Sequence, residues 1–254
     1  MSGRRVLITA GASGIGLGLA KRFAAEGDQL AICDADGDAI AQVKAGHPDF
    51  IAHHADVTDE AQMDAFLAQV EDVWGGVDVV CANAGIGGPA GRIEDLDYGA
   101  WRDCVGVNLF GAFLTCRWAA RVMRAQKSGL IILTSSTAGL FGYPLRSPYA
   151  AAKWGIVGLT KTLAMELGGA NVRVNCICPG AVEGDRMERV LANESAATGT
   201  PIEDLRAAYV DCTSLKSWVS VDDLADMALF LASPAASKVS GQILAVDGHT
   251  ESIN

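Results

Sequence analysis

A chain of 254 residues suits one large α/β domain or, on length alone, two small ones. Half the residues are apolar and a fifth charged, enough to bury a sizeable core, and 30 acidic against 20 basic side chains leave a formal charge of −10. That balance excludes a general binder of phosphate backbones, which needs a basic footprint, but leaves room for a local basic pocket holding a small anion. The apolar run after Met1–Arg5 is too short for a signal peptide and breaks into glycines. No stretch is long enough to cross a bilayer. The seven cysteines are odd in number and sit mostly in apolar runs, which reads as reduced, buried thiols. Neither they nor the scattered His47, His53, His54 and His249 outline a metal site. The expectation is a soluble cytoplasmic protein with a small-molecule substrate, and no nucleic-acid or membrane partner.

Along the chain, β-rich runs alternate with amphipathic segments. Strands are predicted at 5–9, 29–33, 50–53, 77–81, 130–134, 173–177 and 243–246, most of them continuous apolar runs as in strands covered on both faces. Helices are predicted at 15–26, 36–45, 60–74, 98–126, 148–167 and 221–232. This alternation implies a doubly wound, Rossmann-type parallel sheet of about seven strands, with right-handed crossovers and helices on both faces. No repeat, linker or low-complexity tract divides it, so one domain, 1–254, is read. Ser147 is expected to cap the helix that Pro148 opens and Gly168-Gly169 close. From 183 to 218 the chain leaves the β–α rhythm for a long charged insertion, expected to be a lid.

The loop after the first strand, Thr9-Ala10-Gly11-Ala12-Ser13-Gly14-Ile15-Gly16, opens the first helix. Glycines there let backbone approach a pyrophosphate at the positive helix end, although a purely structural turn needs glycine too. Asp34 ends the second strand about twenty residues on, where an acid binds ribose hydroxyls and repels the extra phosphate of NADP. The plainer reading of Asp34 is a strand-end turn acid. No Arg or Lys stands at Ser13 or Ala35 to welcome that phosphate, so NAD is the expected cofactor. Tyr149 and Lys153 lie four apart at a helix start and share a face. The ammonium lowers the tyrosine's pKa from about 10, towards a usable base. Ser136 sits at a strand's carboxyl end, where such sheets place ligands.

Together these residues make the sequence similar to the short-chain dehydrogenase/reductase family over essentially its whole length. Ser136, thirteen residues before Tyr149, resembles the family's catalytic serine with Tyr149 and Lys153, and Ser135 is the competitor for that role. Asn108, in Val107-Asn108-Leu109-Phe110-Gly111, resembles the residue completing a tetrad; the resemblance implies that it kinks its helix and holds a water linking Lys153 to solvent. By the same resemblance the cofactor meets Gly11, Ser13, Gly14, Ile15, Gly16, Asp34, the adenine-side pair Asp56-Val57, the fourth-strand motif Asn83-Ala84-Gly85, Tyr149, Lys153, the turn Pro179-Gly180 and the Val182 backbone. The last strand often lies at a subunit interface in relatives, so a homo-oligomer, tetramer or dimer, is implied. Two departures stand out. Ala10 replaces the first loop glycine, for which a slightly re-registered turn is expected, and Gly184 stands where threonine is frequent.

The implied chemistry is hydride transfer between NAD and an alcohol or carbonyl carbon, with the Tyr149 phenolate taking the alcohol proton while Ser136 holds its oxygen. Position nominates Gly87, Gly88, Thr137, Leu140, Tyr143, Arg146, Arg186 and Arg189 around the substrate. The arginines either clamp an anion or, in the preferred simpler reading, are solvated lid charges paired with Glu183, Asp185 and Glu188. The favoured substrate is a small polar hydroxy compound such as a sugar, polyol or hydroxy acid. The alternatives are a 3-oxoacyl thioester reductase, an activity that usually goes with NADPH, and a catalytically silent NAD-binding sensor.

Overall fold

In the computed structural model, which describes residues 3–250, seven parallel strands form one sheet in the order β3-β2-β1-β4-β5-β6-β7. The strands are β1 Arg5–Thr9, β2 Gln29–Asp34, β3 Ile51–His54, β4 Val79–Ala82, β5 Gly129–Thr134, β6 Val172–Pro179 and β7 Ile243–Val246. Their alternation builds two cores, one on each face. Val6 and Ile8 of β1 join Val79 and Cys81 of β4 and Leu130 and Ile132 of β5 on one side. Leu7, Val80, Ala82, Ile131 and Leu133 face the other way. Residues 6–8 are fully buried, so the runs that read as continuously apolar are apolar because both faces are covered. Truncating one of them, Ile8→Ala for example, leaves a cavity costing about 2–5 kcal/mol.

Helices α1 (Gly14–Ala25), α2 (Gly37–Gly46) and α9 (Val221–Ala232) supply apolar side chains to the first core. Helices α3 (Glu60–Trp74), α5 (Gly111–Gln126) and α6 (Ser147–Gly168) supply the second. Acidic and hydroxyl side chains start several of them. Asp36 accepts from the amides of Asp38 and Ala39, Asp59 from Gln62, and Ser220 forms a reciprocal capping box with Asp223.

Three local expectations need correction. The single helix predicted at 98–126 is α4 (Tyr98–Val105), a π-helical turn at Gly106–Phe110, and α5. The widened turn contains Asn108, whose amide donates to the Cys104 carbonyl one turn back, so the helix is distorted where the family resemblance places a kink. Ser147 lies inside α6 rather than capping it. Arg146 is the cap, and the Ser147 hydroxyl accepts from Trp101 Nε1 at 3.4 Å instead. Ala10 does adopt the left-handed conformation at φ 51°, so the turn is not re-registered and alanine bears the strain. Strand boundaries shift by one or two residues where pairing, not hydropathy, ends the ladder.

The predicted lid folds as two helices, α7 (Asp185–Thr198) and α8 (Ile202–Asp211), flanked by Gly184 at φ 128° and joined through Gly199 at φ 75°. Its two ends meet. Val182 bridges Val219 in parallel, the Glu183 amide donates to the Val219 carbonyl, and the Val219 amide donates to that of Ala181. The excursion therefore leaves and re-enters the domain at one point beside the end of β6.

Candidate active site

The predicted site residues gather at the carboxyl ends of the strands. Order reverses between β1 and β4, and the glycine loop leaves β1 at that crevice. Gly16 is pressed against the loop, since a Cβ there would lie 1.9 Å from the Ala10 carbonyl oxygen. Gly14 has φ 48° with open space where a Cβ would point. Ser13 caps α1 through no side-chain bond, and no acid stands in the first turn. That helix end keeps donors and partial positive charge for an anion, as a pyrophosphate requires. Asp34 closes the loop from the side. One carboxylate oxygen accepts from Ala12 N and the other from Asp36 N, both at 3.1 Å. The plainer reading of Asp34 as a turn acid is thus met.

Beyond the loop, Asn83 at the end of β4 donates through its amide side chain to the Thr9 carbonyl and accepts from Thr134, tying β4 to β1 and β5. Ala84 N donates to Thr9 Oγ1, which carries Gly85 into the crevice. Asp56 turns the chain after β3 by accepting from Thr58 N and Oγ1, and Val57 is buried beside it. Pro179 ends β6, and the Gly180 amide donates to the Val246 carbonyl with backbone so close to Asp247 that a Cβ would clash. These residues fit a dinucleotide stretched across the strand ends.

Helix α6 brings Tyr149 and Lys153 to one face, both buried. Lys153 Nζ donates to the Thr134 carbonyl at 2.9 Å and lies 5.6 Å from the centre of the Tyr149 ring. Ser135 and Ser136 separate cleanly. Ser135 Oγ is buried and donates to the Lys153 carbonyl at 2.8 Å, which occupies it structurally. Ser136 Oγ accepts from Ala138 N at 3.2 Å, keeps its proton free to donate, and helps hold the Tyr149 phenol low. Asn108 donates to the carbonyls of Ile86 and Cys104, while its Oδ1 is buried without a hydrogen-bond partner. A Cβ on Gly85 would lie 2.5 Å from that oxygen and 3.2 Å from Lys153 Nζ, so the two polar groups flank the same glycine. An orphaned acceptor beside the ammonium is where a bridging water fits.

Burial alone pushes the Tyr149 phenol up, but Arg186, Lys153, the Ser136 hydroxyl and Arg146 outweigh it and bring it down to about 8. Burial lowers Lys153 too, opposed by the charge that Tyr149 carries as a phenolate. Arg186 and Arg146 depart from the simpler reading as solvated lid charges. Arg186 donates through Nη2 to Tyr149 Oη at 3.2 Å rather than pairing with a lid acid. Arg146 is buried, donates to the Gly87 carbonyl at 2.8 Å and stacks between the rings of Tyr143 and Tyr149. It pairs with Glu194 at 3.5 Å. Glu188 pairs instead with Arg206, at 2.7 Å, and Arg189 is exposed on α7, away from these contacts. Glu194 and Tyr209, which sequence reasoning missed, complete a cluster. Glu194 Oε1 accepts from Tyr143 Oη at 2.8 Å and from Tyr209 Oη at 2.7 Å, and the two phenol groups touch.

Of the remaining nominees, Thr137 is buried in the turn after Ser136, and Gly88, at φ 66°, packs on Cys104. Leu140 instead lines an open depression of 530 Å³ with Phe141, Ala245, Asp247, His249 and Thr250.

A family model described as "Enoyl-(Acyl carrier protein) reductase" matches residues 9–249. "(+)-borneol dehydrogenase 1" of Salvia officinalis is 39% identical, covering 100% of this chain and 96% of its own. "D-beta-hydroxybutyrate dehydrogenase" of Cupriavidus necator is 35% identical over 98% of both. Among solved structures, NAD+-bound xylitol dehydrogenase superposes with a TM-score of 0.91 at 26% identity, covering 97% of this chain and 99% of that one. The 3-ketoacyl-(acyl-carrier-protein) reductase of Brucella melitensis, complexed with NADH, gives 0.87 at 31%, covering 97% and 98%.

Proposed function

The chain belongs to the short-chain dehydrogenase/reductase family and is an NAD(H)-dependent oxidoreductase of CH–OH groups, and on that premise we propose that it interconverts 3-hydroxyacyl and 3-oxoacyl compounds, as free acids or thioesters. The observation carrying the substrate class is Arg186 at 3.2 Å from Tyr149 Oη, with Arg146 buried behind the same ring. A substrate bearing an acceptor oxygen two carbons from its reacting carbon presents that oxygen to Arg186 when its alcohol lies against Tyr149 and Ser136. A free 3-hydroxy acid offers a carboxylate there and a thioester a carbonyl, whereas a sugar or polyol offers only hydroxyls, weaker acceptors for a guanidinium. The relatives weigh the same way. The family description and a solved relative name acyl-carrier-protein reductases, and a relative 35% identical is named for hydroxybutyrate. The expected pairing of such reductases with NADPH is no obstacle, since the solved relative of that name is complexed with NADH.

In the proposed mechanism Ser136 hydrogen-bonds the substrate oxygen and Tyr149 Oη takes the hydroxyl proton, returning it in the reverse direction. When bound in this bed, NAD would supply the hydride-accepting and hydride-donating chemistry. Lys153 holds the tyrosine charge, binds ribose, and passes protons towards solvent past Asn108 Oδ1. Gly11–Gly16, Asp34, Asp56-Val57, Asn83–Gly85 and Pro179–Val182 form the cofactor's bed, and residues 183–218 form a lid. We further read a reducing, cytoplasmic setting from the six buried free thiols. A dimer or tetramer is read from the exposed Phe110, Phe113 and Met165 along α5 and the preceding turn and α6, testable by sedimentation.

NADH formation on 3-hydroxybutyrate, its coenzyme A thioester, xylitol and borneol decides the class. Turnover of either 3-hydroxyacyl compound well above the others is expected. Preference for xylitol or borneol would overturn the proposal, and borneol is the stronger rival given the 39% identity of its dehydrogenase.

A further inference from the structure

Tyr149 Oη faces cations from two sides. Lys153 approaches along its own helix, and Arg186 reaches across from α7, part of the segment that leaves the domain between Val182 and Val219. The remaining polar or charged groups around the phenol are Arg146 against its ring, the Ser136 hydroxyl and the Cys104 thiol, with Tyr143 beyond Arg146. Among these, Arg186 alone is carried by the excursion, and its guanidinium donates directly to the atom that exchanges the proton. Eight residues further along the same helix, Glu194 accepts from Tyr143, which precedes α6, and from Tyr209 of α8, and pairs with Arg146. This clasp fastens α7 and α8 to the segment that bears the catalytic tyrosine. Its side chains are largely dry, Glu194 being 12% exposed and Arg146 3%, so each bond is made without competition from water.

We propose that Arg186 is a further catalytic residue, which holds the Tyr149 phenolate together with Lys153, and that the Tyr143–Glu194–Tyr209 clasp positions it. Seating the lid then delivers a second positive charge to the base, and lifting it leaves Tyr149 with Lys153, Arg146 and Ser136 alone. Base strength is therefore tied to lid closure. The electrostatics agree with the geometry, because Arg186 is the largest of the influences that lower the tyrosine. The inference rests on Tyr149 being the proton-transfer group.

Tyr149 ionisation is measured in the NAD-loaded protein as tyrosinate absorbance against pH, each variant being referenced to the same variant carrying Tyr149→Phe. Subtraction removes Tyr98, Tyr143 and Tyr209. With Arg186→Met the Tyr149 midpoint should rise by about one pH unit, and with Arg186→Lys by less, since a cation is retained without the guanidinium fork. Tyr209→Phe, which removes one clasp bond and no charge, should raise it by a smaller amount, and should add nothing in an Arg186→Met background. An unmoved midpoint in Arg186→Met overturns the role of Arg186. A Tyr209→Phe shift that persists without Arg186 overturns the clasp. Should Arg186→Met fail to fold, Arg186→Lys and Tyr209→Phe carry the test, and two unmoved midpoints reject the proposal. Normal turnover in Tyr149→Phe would instead remove the underlying assignment of the base, so the two failures are distinguishable.

Discussion

A phenol that ionises near 8 gives the reaction a direction-dependent pH profile. Oxidation needs the phenolate, so kcat/KM for the alcohol should rise about tenfold per pH unit below that value and level off above it. Reduction needs the protonated phenol, and its kcat/KM should fall above the same pH. An oxidation rate that is flat from about pH 6 to 9 would contradict this assignment. Tyr149→Phe keeps the ring and removes the proton acceptor, so turnover should drop by about two to four orders of magnitude with NAD affinity nearly unchanged. Asp34 carries a prediction of its own. Its carboxylate pins Ala12 N and Asp36 N, and on the proposed placement of the cofactor it repels a 2′-phosphate, so Asp34→Ala should shrink the NAD-over-NADP preference by roughly 1–3 kcal/mol while loosening the loop. Equal affinities for the two cofactors in the parent, by titration, would sink the cofactor assignment. At this scale the sequence was most legible where spacing carries the chemistry. Tyr149 and Lys153 share a helix face, and Ser136 follows closely on the end of β5. The Arg146–Glu194–Tyr209 cluster was not legible, because its members are 48 and 15 residues apart in order and meet only through tertiary packing.

Element by element, alternation of buried runs and amphipathic segments carried the sheet, since a strand covered on both faces must be apolar throughout. Hydropathy could not show the π-helical turn at Gly106–Phe110, which inserts one residue into the ladder and buries the polar Asn108. Nor did it reveal α7 and α8. Only Met187 and Leu191 of α7 are buried and none of α8, and the many charged residues between them read as an insertion instead of as two helices. The same shallow packing predicts their dynamics. Amides of α8 should exchange faster than those of α7 around Met187–Leu191 in the free protein, because α8 is held mainly through Tyr209 and Arg206. Adding NAD and substrate should slow both. Hydrogen exchange that is equally slow across 185–211 with and without ligands would mean a fixed insertion instead of a lid.

For the molecule as a whole, the proposed cofactor bed draws on the carboxyl ends of β1, β2, β3, β4 and β6, five strands brought together only by the native order β3-β2-β1-β4-β5-β6-β7. An unfolded chain has no such surface, so NAD binds the native state alone and must stabilise it by mass action. At about one hundred times its dissociation constant the gain is about 2.7 kcal/mol. For a chain of this size that corresponds to a rise in Tm of roughly 5–10 °C. If Asp34 meets the adenosine ribose as proposed, NADP at the same concentration should raise Tm far less, because the carboxylate opposes its extra phosphate. Calorimetric scans with each cofactor, on the parent and on Asp34→Ala, separate the contributions. The parent should favour NAD strongly, and the variant should bring the two shifts together by losing part of the NAD effect and gaining NADP effect. A parent protein that NADP stabilises as much as NAD would show that Asp34 serves only the turn it closes with Ala12 and Asp36.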